Sequence, residues 1–139
     1  MGTVPFPVSL FYGGGRVADE GPAARGRLVR ALIEECWSDQ AGLDRMAGML
    51  APGYVHHTPW GEWDFTRFRA GLDYVESLFA DRRYQVVHVV DDGRLVAAFL
   101  AWSAVRRADQ SPVNGRGAYH CRLDGGLVAE DWDAFFPSA

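Results

Sequence analysis

The sequence predicts an α+β fold, and three observations predict it. Apolar residues recur at helical spacing up to about Ala80, strand-like runs occupy the chain from Tyr84 onward, and Asp-Gly and Gly-Gly turns cut those runs into two hairpins. Helices followed by antiparallel strands imply helices packed on one face of a sheet. The chain has 139 residues with 48% hydrophobic and 13% aromatic content, enough for one core and no second one.

Each element follows from local pattern. Pro22 after Gly21 suits a first helical turn, and Leu28, Val29, Leu32, Ile33 and Cys36 follow at helical spacing, which predicts a first helix over 22–37. Asp39 can cap a shorter helix with Leu43, Met46, Met49 and Leu50 on one face, ended by Pro52 and Gly53. A short strand over 54–58 comes next. Asp64 can cap a third helix reaching about Ala80, with Phe65, Phe68, Leu72, Val75, Leu78 and Phe79 as its apolar stripe. Strands 84–90 and 95–105 flank the turn at Asp91, Asp92 and Gly93, and strands 118–123 and 127–135 flank Asp124, Gly125 and Gly126. Strand 95–105 is apolar on both parities, so both of its faces are expected to be covered.

The domain proper is read as 21–139, preceded by an apolar extension over 1–20. Val4, Phe6, Val8, Leu10, Phe11 and Tyr12 suit a segment tied down on the body or on a partner chain, with a lid as one hypothesis.

Composition narrows the function classes. There are 18 acidic against 14 basic residues, and no basic run could track a phosphate backbone, so nucleic acid is not an expected partner. No apolar stretch approaches a membrane span, and residues 1–15 lack the basic flank and continuous apolar run of a signal peptide. A cytoplasmic protein without membrane contact is expected. Cys36 and Cys121 lack metal-type spacing, and a reduced compartment suits them. His56, His57, His88 and His120 are too scattered to suggest a metal site, and Gly13 to Gly15 is not followed by the Lys and Ser or Thr of a phosphate loop. Neither a metal nor a cofactor is expected.

Two motifs carry a family resemblance. Leu50-Ala51-Pro52-Gly53-Tyr54-Val55-His56-His57-Thr58-Pro59 resembles the opening of SnoaL-like polyketide cyclases, and Leu127-Val128-Ala129-Glu130-Asp131-Trp132-Asp133 resembles their closing strand. They bracket the right order of elements, and the resemblance covers about residues 24–136. It implies a nuclear transport factor 2-like fold: a cone-shaped, strongly curved antiparallel sheet with three N-terminal helices enclosing a pocket. It also implies an apolar small-molecule substrate, no metal or cofactor, and an aspartate on the last strand acting as acid and base in an intramolecular aldol closure. The matching position here is Asp133. Relatives of this fold commonly pair through sheet faces, so a homodimer is expected.

The sequence departs from the family pattern where it has Asp131, two residues before Asp133, in a place where histidine is usual. Both carboxylates then lie on one side of the predicted strand, and two neighbouring carboxylates in a partly dry pocket raise one pKa by repulsion and desolvation. Asp133 and Trp132 face opposite ways; strand pattern alone favours Trp132 as the inward one, and the resemblance reverses that preference, so Asp133 is expected to reach the pocket. Tyr54, His56 and Thr58 share the strand face favoured for the pocket. Ketosteroid isomerases of the same fold carry their base aspartate just before a proline at the place of Thr58. A threonine hydroxyl is a poor proton acceptor, which argues against that mechanism and leaves His56 to orient or protonate a substrate oxygen.

His120 lies on the strand hairpinned to that of Asp133, where it could be held by a carboxylate or simply satisfy a cross-strand pair. Trp60 and Trp63 flank the turn into the third helix and are either core plugs or substrate contacts at the pocket mouth. Phe99 and Trp102 are expected to shape the pocket as lining or core.

The catalytic set expected is Asp133, Asp131, His120 and His56, with Tyr54, Thr58, Trp60, Trp63, Phe99 and Trp102 as substrate contacts. The expected activity is a cofactor-free cyclase of a polyketide-like or related apolar molecule. Two alternatives stand beside it: epoxide hydrolysis or ether-ring formation in the same pocket, and a non-catalytic ligand-binding or dimerisation module. The last would show a pocket filled by side chains, with Asp133 paired to Arg122 or another arginine.

Overall fold

Asp39 and Asp64 cap their helices as their positions predict. In the computed structural model, which describes residues 22–138, Asp39 Oδ1 accepts the Gly42 N–H at 2.7 Å and Asp64 Oδ1 accepts the Arg67 N–H at 2.8 Å. They open α2 (Gln40–Ala47) and α3 (Phe65–Leu78). The first helix, α1 (Pro22–Ala31), runs on into one π-helical turn (Leu32–Cys36). The N-terminus of α2 packs tightly on that turn: a Cβ on Gly42 would lie 2.5 Å from the Cys36 carbonyl oxygen. The apolar extension over 1–20, with its lid hypothesis, lies outside the described residues.

Six strands follow: β1 (Leu50–Thr58), β2 (Gly61–Trp63), β3 (Phe79–Asp91), β4 (Leu95–Arg106), β5 (Pro112–Asp124) and β6 (Leu127–Pro137). They form one curved, unclosed sheet in the order β2-β1-β6-β5-β4-β3. The α+β class and the two hairpins stand as expected. The sheet, however, is mixed rather than wholly antiparallel, because β1 pairs parallel with β6. Hairpin turns reveal which consecutive strands pair but carry no signal for a partner so far away in sequence. The three-residue β2 is also new. It folds back on β1 with Thr58 opposite Gly61, where Gly61 has φ +132° and the Thr58 hydroxyl closes the turn by donating to the Gly61 carbonyl at 2.8 Å.

The helices cover one face of the sheet only. Val29, Leu32, Ile33 and Trp37, then Leu43, Met46 and Phe68, pack on inward residues Val86, Val96, Ala98, Leu100, Tyr119, Cys121 and Val128. The strand alternation is clean on β4: Val96, Ala98 and Leu100 are buried, whereas Leu95 and Phe99 stay exposed on the outer face. The expectation that both faces of β4 are covered is therefore not met among the described residues. Small Ala97 and Ala101 account for the apolar outer parity there, and among the described residues no further layer lies over them.

Phe68 is the one fully buried residue of α3. Leu72 and Val75 stay half-buried because a cavity separates that helix from the sheet.

Candidate active site

The register of the last three partnered strands decides which side chains meet. On β6, Asp131 sits opposite Cys121 and Asp133 opposite Tyr119, while His56 of β1 lies beside Asp131. Residues directly opposite in a sheet share a face, so Tyr119, Cys121, Asp131, Asp133 and His56 all point to the helix side. Trp132 takes the other face, and Asp133 points inward as the resemblance implies.

Asp131 is fully buried and surrounded by donors. Tyr54 Oη donates to its two oxygens at 2.8 and 2.9 Å, Tyr119 Oη donates to Oδ2 at 2.9 Å, and His56 Nδ1 lies 2.7 Å from Oδ1. A donor-rich environment of this kind replaces the hydrogen bonds to water that a carboxylate loses on burial. Burial, reinforced by the Asp131 charge, holds the hydroxyls of Tyr54 and Tyr119 far above the usual phenol pKa. Both therefore remain protonated donors.

His56 links the two aspartates. With Nδ1–H given to Asp131, its Nε2 faces Asp133 Oδ2 at 3.7 Å. Burial works to lower the His56 pKa, but the hydrogen bond to Asp131 and the charges of both aspartates outweigh it, and the net shift is upward. Burial pushes Asp133 up to about 6; His56 opposes that rise and Asp131 adds to it. Phe68 packs edge-on to the His56 ring at 4.9 Å, which keeps the imidazole in place.

Asp133 also lines a cavity of about 230 Å³ between α3, the end of the first helical segment and the inner sheet face. Its other walls are Trp37, Phe68, Leu72, Val75, Phe79, Arg82, Tyr84, Trp102, Ser103, Ala104 and Phe135. A dry apolar cavity of about 150 Å³ already takes benzene, so this one has room for a flat bicyclic group. A titratable carboxylate in an apolar wall gives the cavity both a binding surface and a proton carrier. Burial pushes the Cys121 thiol up to about 12, which leaves no thiolate nucleophile there. Among the described residues, no three His, Cys, Asp or Glu side chains are grouped to hold a metal ion.

The expected residues divide into those the fold brings together and those it does not. Asp133, Asp131, His56 and Tyr54 form one connected group, and Trp102 lines the cavity. His120 is placed on the opposite face, stacked on Trp132 at 4.6 Å, with His57 on the other side of the same indole at 4.4 Å. A register shift between Arg122 and Leu123 causes this. Were the pairing of Asp124 with Leu127 continued unbroken, His120 would lie opposite Asp131 and face inward. Phe99, 50% exposed, points outward from β4. Thr58 serves the β1–β2 turn, and Trp60 is 82% exposed. Trp63 is half-buried against His56, with the Arg67 guanidinium 5.1 Å over its ring, and does not line the cavity.

Four residues escaped the sequence reading: Tyr119, Trp37, Arg82 and Tyr84. Two carried a usable signal, since Arg82 and Tyr84 share the parity of buried Val86 on β3. Arg122 pairs with Glu130 at 3.0 Å, not with Asp133.

The comparisons with known proteins agree with this fold. No curated protein sequence matches the chain at a significant level. Among solved structures, a candidate SnoaL-like polyketide cyclase from Jannaschia sp. CCS1 superposes with a TM-score of 0.72 at 16% identity, over 86% of this chain and 91% of its own. AclR, a candidate hydroxylase from Streptomyces galilaeus, gives 0.71 at 18% identity over 84% and 91% of the two chains. IdmH, a candidate polyketide cyclase from Streptomyces antibioticus, gives 0.70 at 17% identity over 80% and 91%. At such identities these likenesses establish the shared nuclear transport factor 2-like fold. The sequence pattern of the SnoaL-like domain matches residues 29–131, well over half of the chain, and the protein therefore belongs to the SnoaL-like family.

Proposed function

We propose that this protein is a cofactor-independent cyclase of a polyketide-like or related apolar small molecule, with Asp133 as its general base and acid. One observation carries the reading: a single carboxylate, pushed by burial up to about 6, stands in the wall of a mostly apolar cavity with His56 and Asp131 behind it. A pKa near the working pH suits a group that must both take and return a proton. Asp133 takes a proton from the carbon next to a carbonyl, and the electron pair passes to the carbonyl oxygen. The enolate carbon then bonds to a second carbonyl of the same molecule, whose oxygen recovers the proton from Asp133. The His56–Asp131 pair orients and electrostatically supports Asp133 throughout.

Asp131 is bonded to three side chains and does not line the cavity. This favours one working carboxylate over the pair required for epoxide opening. The cavity, and the pairing of Arg122 with Glu130, favour an enzyme over a filled binding module. The test is Asp133→Asn, assayed on an aryl polyketone that closes by an aldol step. Lost turnover with retained fold and substrate binding supports the reading; retained turnover overturns it. If solvent oxygen enters the product of an epoxide substrate, epoxide chemistry takes its place.

The expected homodimer belongs to the same proposal, with the bare outer sheet face around Phe99 and Val90 as its contact. Light scattering then finds two chains at micromolar concentration and one for Phe99→Glu; a monomeric wild type overturns the dimer. No helix among the described residues is long and apolar enough to cross a membrane, and we assign the activity to the cytoplasm.

A further inference from the structure

The proposed chemistry creates a negative oxygen, and Asp133 is the wrong sign to stabilise it. Some donor at the cavity wall has to receive that charge. Arg82 lines the cavity and is only 7% exposed, but its guanidinium is fully engaged. Nη1 donates to the Trp37 carbonyl at 2.8 Å and to Tyr84 Oη at 3.1 Å, Nη2 donates to the Ser38 carbonyl at 3.2 Å, and Nε donates to Glu76 Oε2 at 3.1 Å. Arg82 therefore cannot swing onto a guest.

What Arg82 does is occupy the Tyr84 oxygen as an acceptor. The Tyr84 proton must then be donated elsewhere, and among the described residues no side chain or carbonyl takes it. A cation behind a phenol polarises its O–H outward and strengthens the bond it can give. Tyr84 itself lines the cavity. A second donor stands at the same wall: Trp37 packs edge-on to Tyr84 at 5.5 Å, is 3% exposed, and its buried indole N–H has no partner. Buried donors left unmet are rare and costly in native structures.

We infer that Tyr84, held by Arg82, receives the carbonyl oxygen of the guest, so that the cavity selects flat, roughly bicyclic molecules whose enolisable ketone can face Tyr84. The inference rests on the proposed cyclase reading and gives it its oxyanion side. When Asp133 removes the proton next to the ketone, the charge that moves onto oxygen meets the Tyr84 hydroxyl. The proton itself stays on Asp133 until the ring has closed.

Two probes separate this claim from the reading beneath it: 1-tetralone, which carries only an acceptor, and tetralin, which has the same size without oxygen. Binding is measured at pH 8, where Asp133 is ionised and cannot donate. In Tyr84→Phe the tetralone-to-tetralin affinity ratio falls about tenfold, the worth of one hydrogen bond to a buried donor. The carbonyl stretch of bound tetralone moves to higher frequency in the same variant. Tetralin binds Tyr84→Phe as it binds wild type. An unchanged ratio in Tyr84→Phe, or a loss that follows Trp37→Phe instead, overturns the inference while leaving the cavity reading intact. Failure of both probes to bind wild type overturns the cavity reading and the inference together.

Discussion

His56 gives Nδ1–H to Asp131 across 2.7 Å, and that bond decides what its other nitrogen does. A ring fixed at one end presents Nε2 to Asp133 in one orientation, at 3.7 Å. The behaviour of Asp133 with pH is therefore tied to a residue on another strand.

The first expectation concerns activity and pH. Asp133 must be ionised to accept a proton, and burial raises its pKa to about 6. Accordingly kcat/KM rises through about pH 6 and levels above it. His56 favours the ionised form, so in His56→Gln the rising limb moves to higher pH. A pH–rate series for both proteins checks this, and a limb near pH 4 in wild type contradicts it.

Stability follows the same group with a definite sign. A carboxyl whose pKa is 3.8 unfolded and about 6 folded holds more protons in the folded state between those values. The Asp133 contribution to stability therefore falls as pH rises from about 4 to 6, then stays level. Asp133→Asn carries no such penalty. Its gain over wild type is near zero at pH 4 and reaches at most about 3 kcal/mol above pH 7. Urea unfolding at pH 4, 6 and 8 measures the difference.

The phenols around Asp131 support the fold. Tyr119→Phe leaves Oδ2 of a fully buried carboxylate one donor short, and a loss of about 1–3 kcal/mol is expected. Tyr54→Phe behaves alike, and the double variant departs from additivity because both hydroxyls serve one acceptor. Thermal or urea unfolding of the three variants provides the cycle.

Two glycines should respond in opposite ways. A Cβ on Gly115 would stand 2.1 Å from the Phe136 carbonyl oxygen and 2.8 Å from the Trp102 ring, so Gly115→Ala pushes apart β5 and β6 beside the cavity. A cost of about 3 kcal/mol is expected. At Gly26, within α1, the added methyl would meet only Val89 at 3.5 Å. Gly26→Ala gains about 0.4–1 kcal/mol by restricting the unfolded chain. Melting temperatures of the two variants test the contrast.

Local pattern made much of this protein readable. Asp39 and Asp64 announce their helices because a capping carboxylate acts within three residues, and the Asp92-Gly93 and Gly125-Gly126 turns announce the hairpins. What stayed hidden depends on register and on distant partners. Whether His120 meets a carboxylate turns on one irregular step between Arg122 and Leu123, which no residue type advertises. Tyr84 and Arg82 read as ordinary strand residues until α3 and Trp37 are in place around them. The motif points to Asp133, whereas the approach of His56 to it depends on β1 lying beside β6, a pairing that local pattern does not reveal.

That parallel pairing has a consequence for how the protein comes into being. His56 and Asp131 are 75 positions apart along the chain, on the first and last strands of the sheet's long members. No fragment that lacks either strand holds the His56–Asp131 contact, and contacts of such long range close slowly. Because its two halves come from strands at opposite ends of the sequence, the His56–Asp131 contact exists only where the whole sheet has assembled.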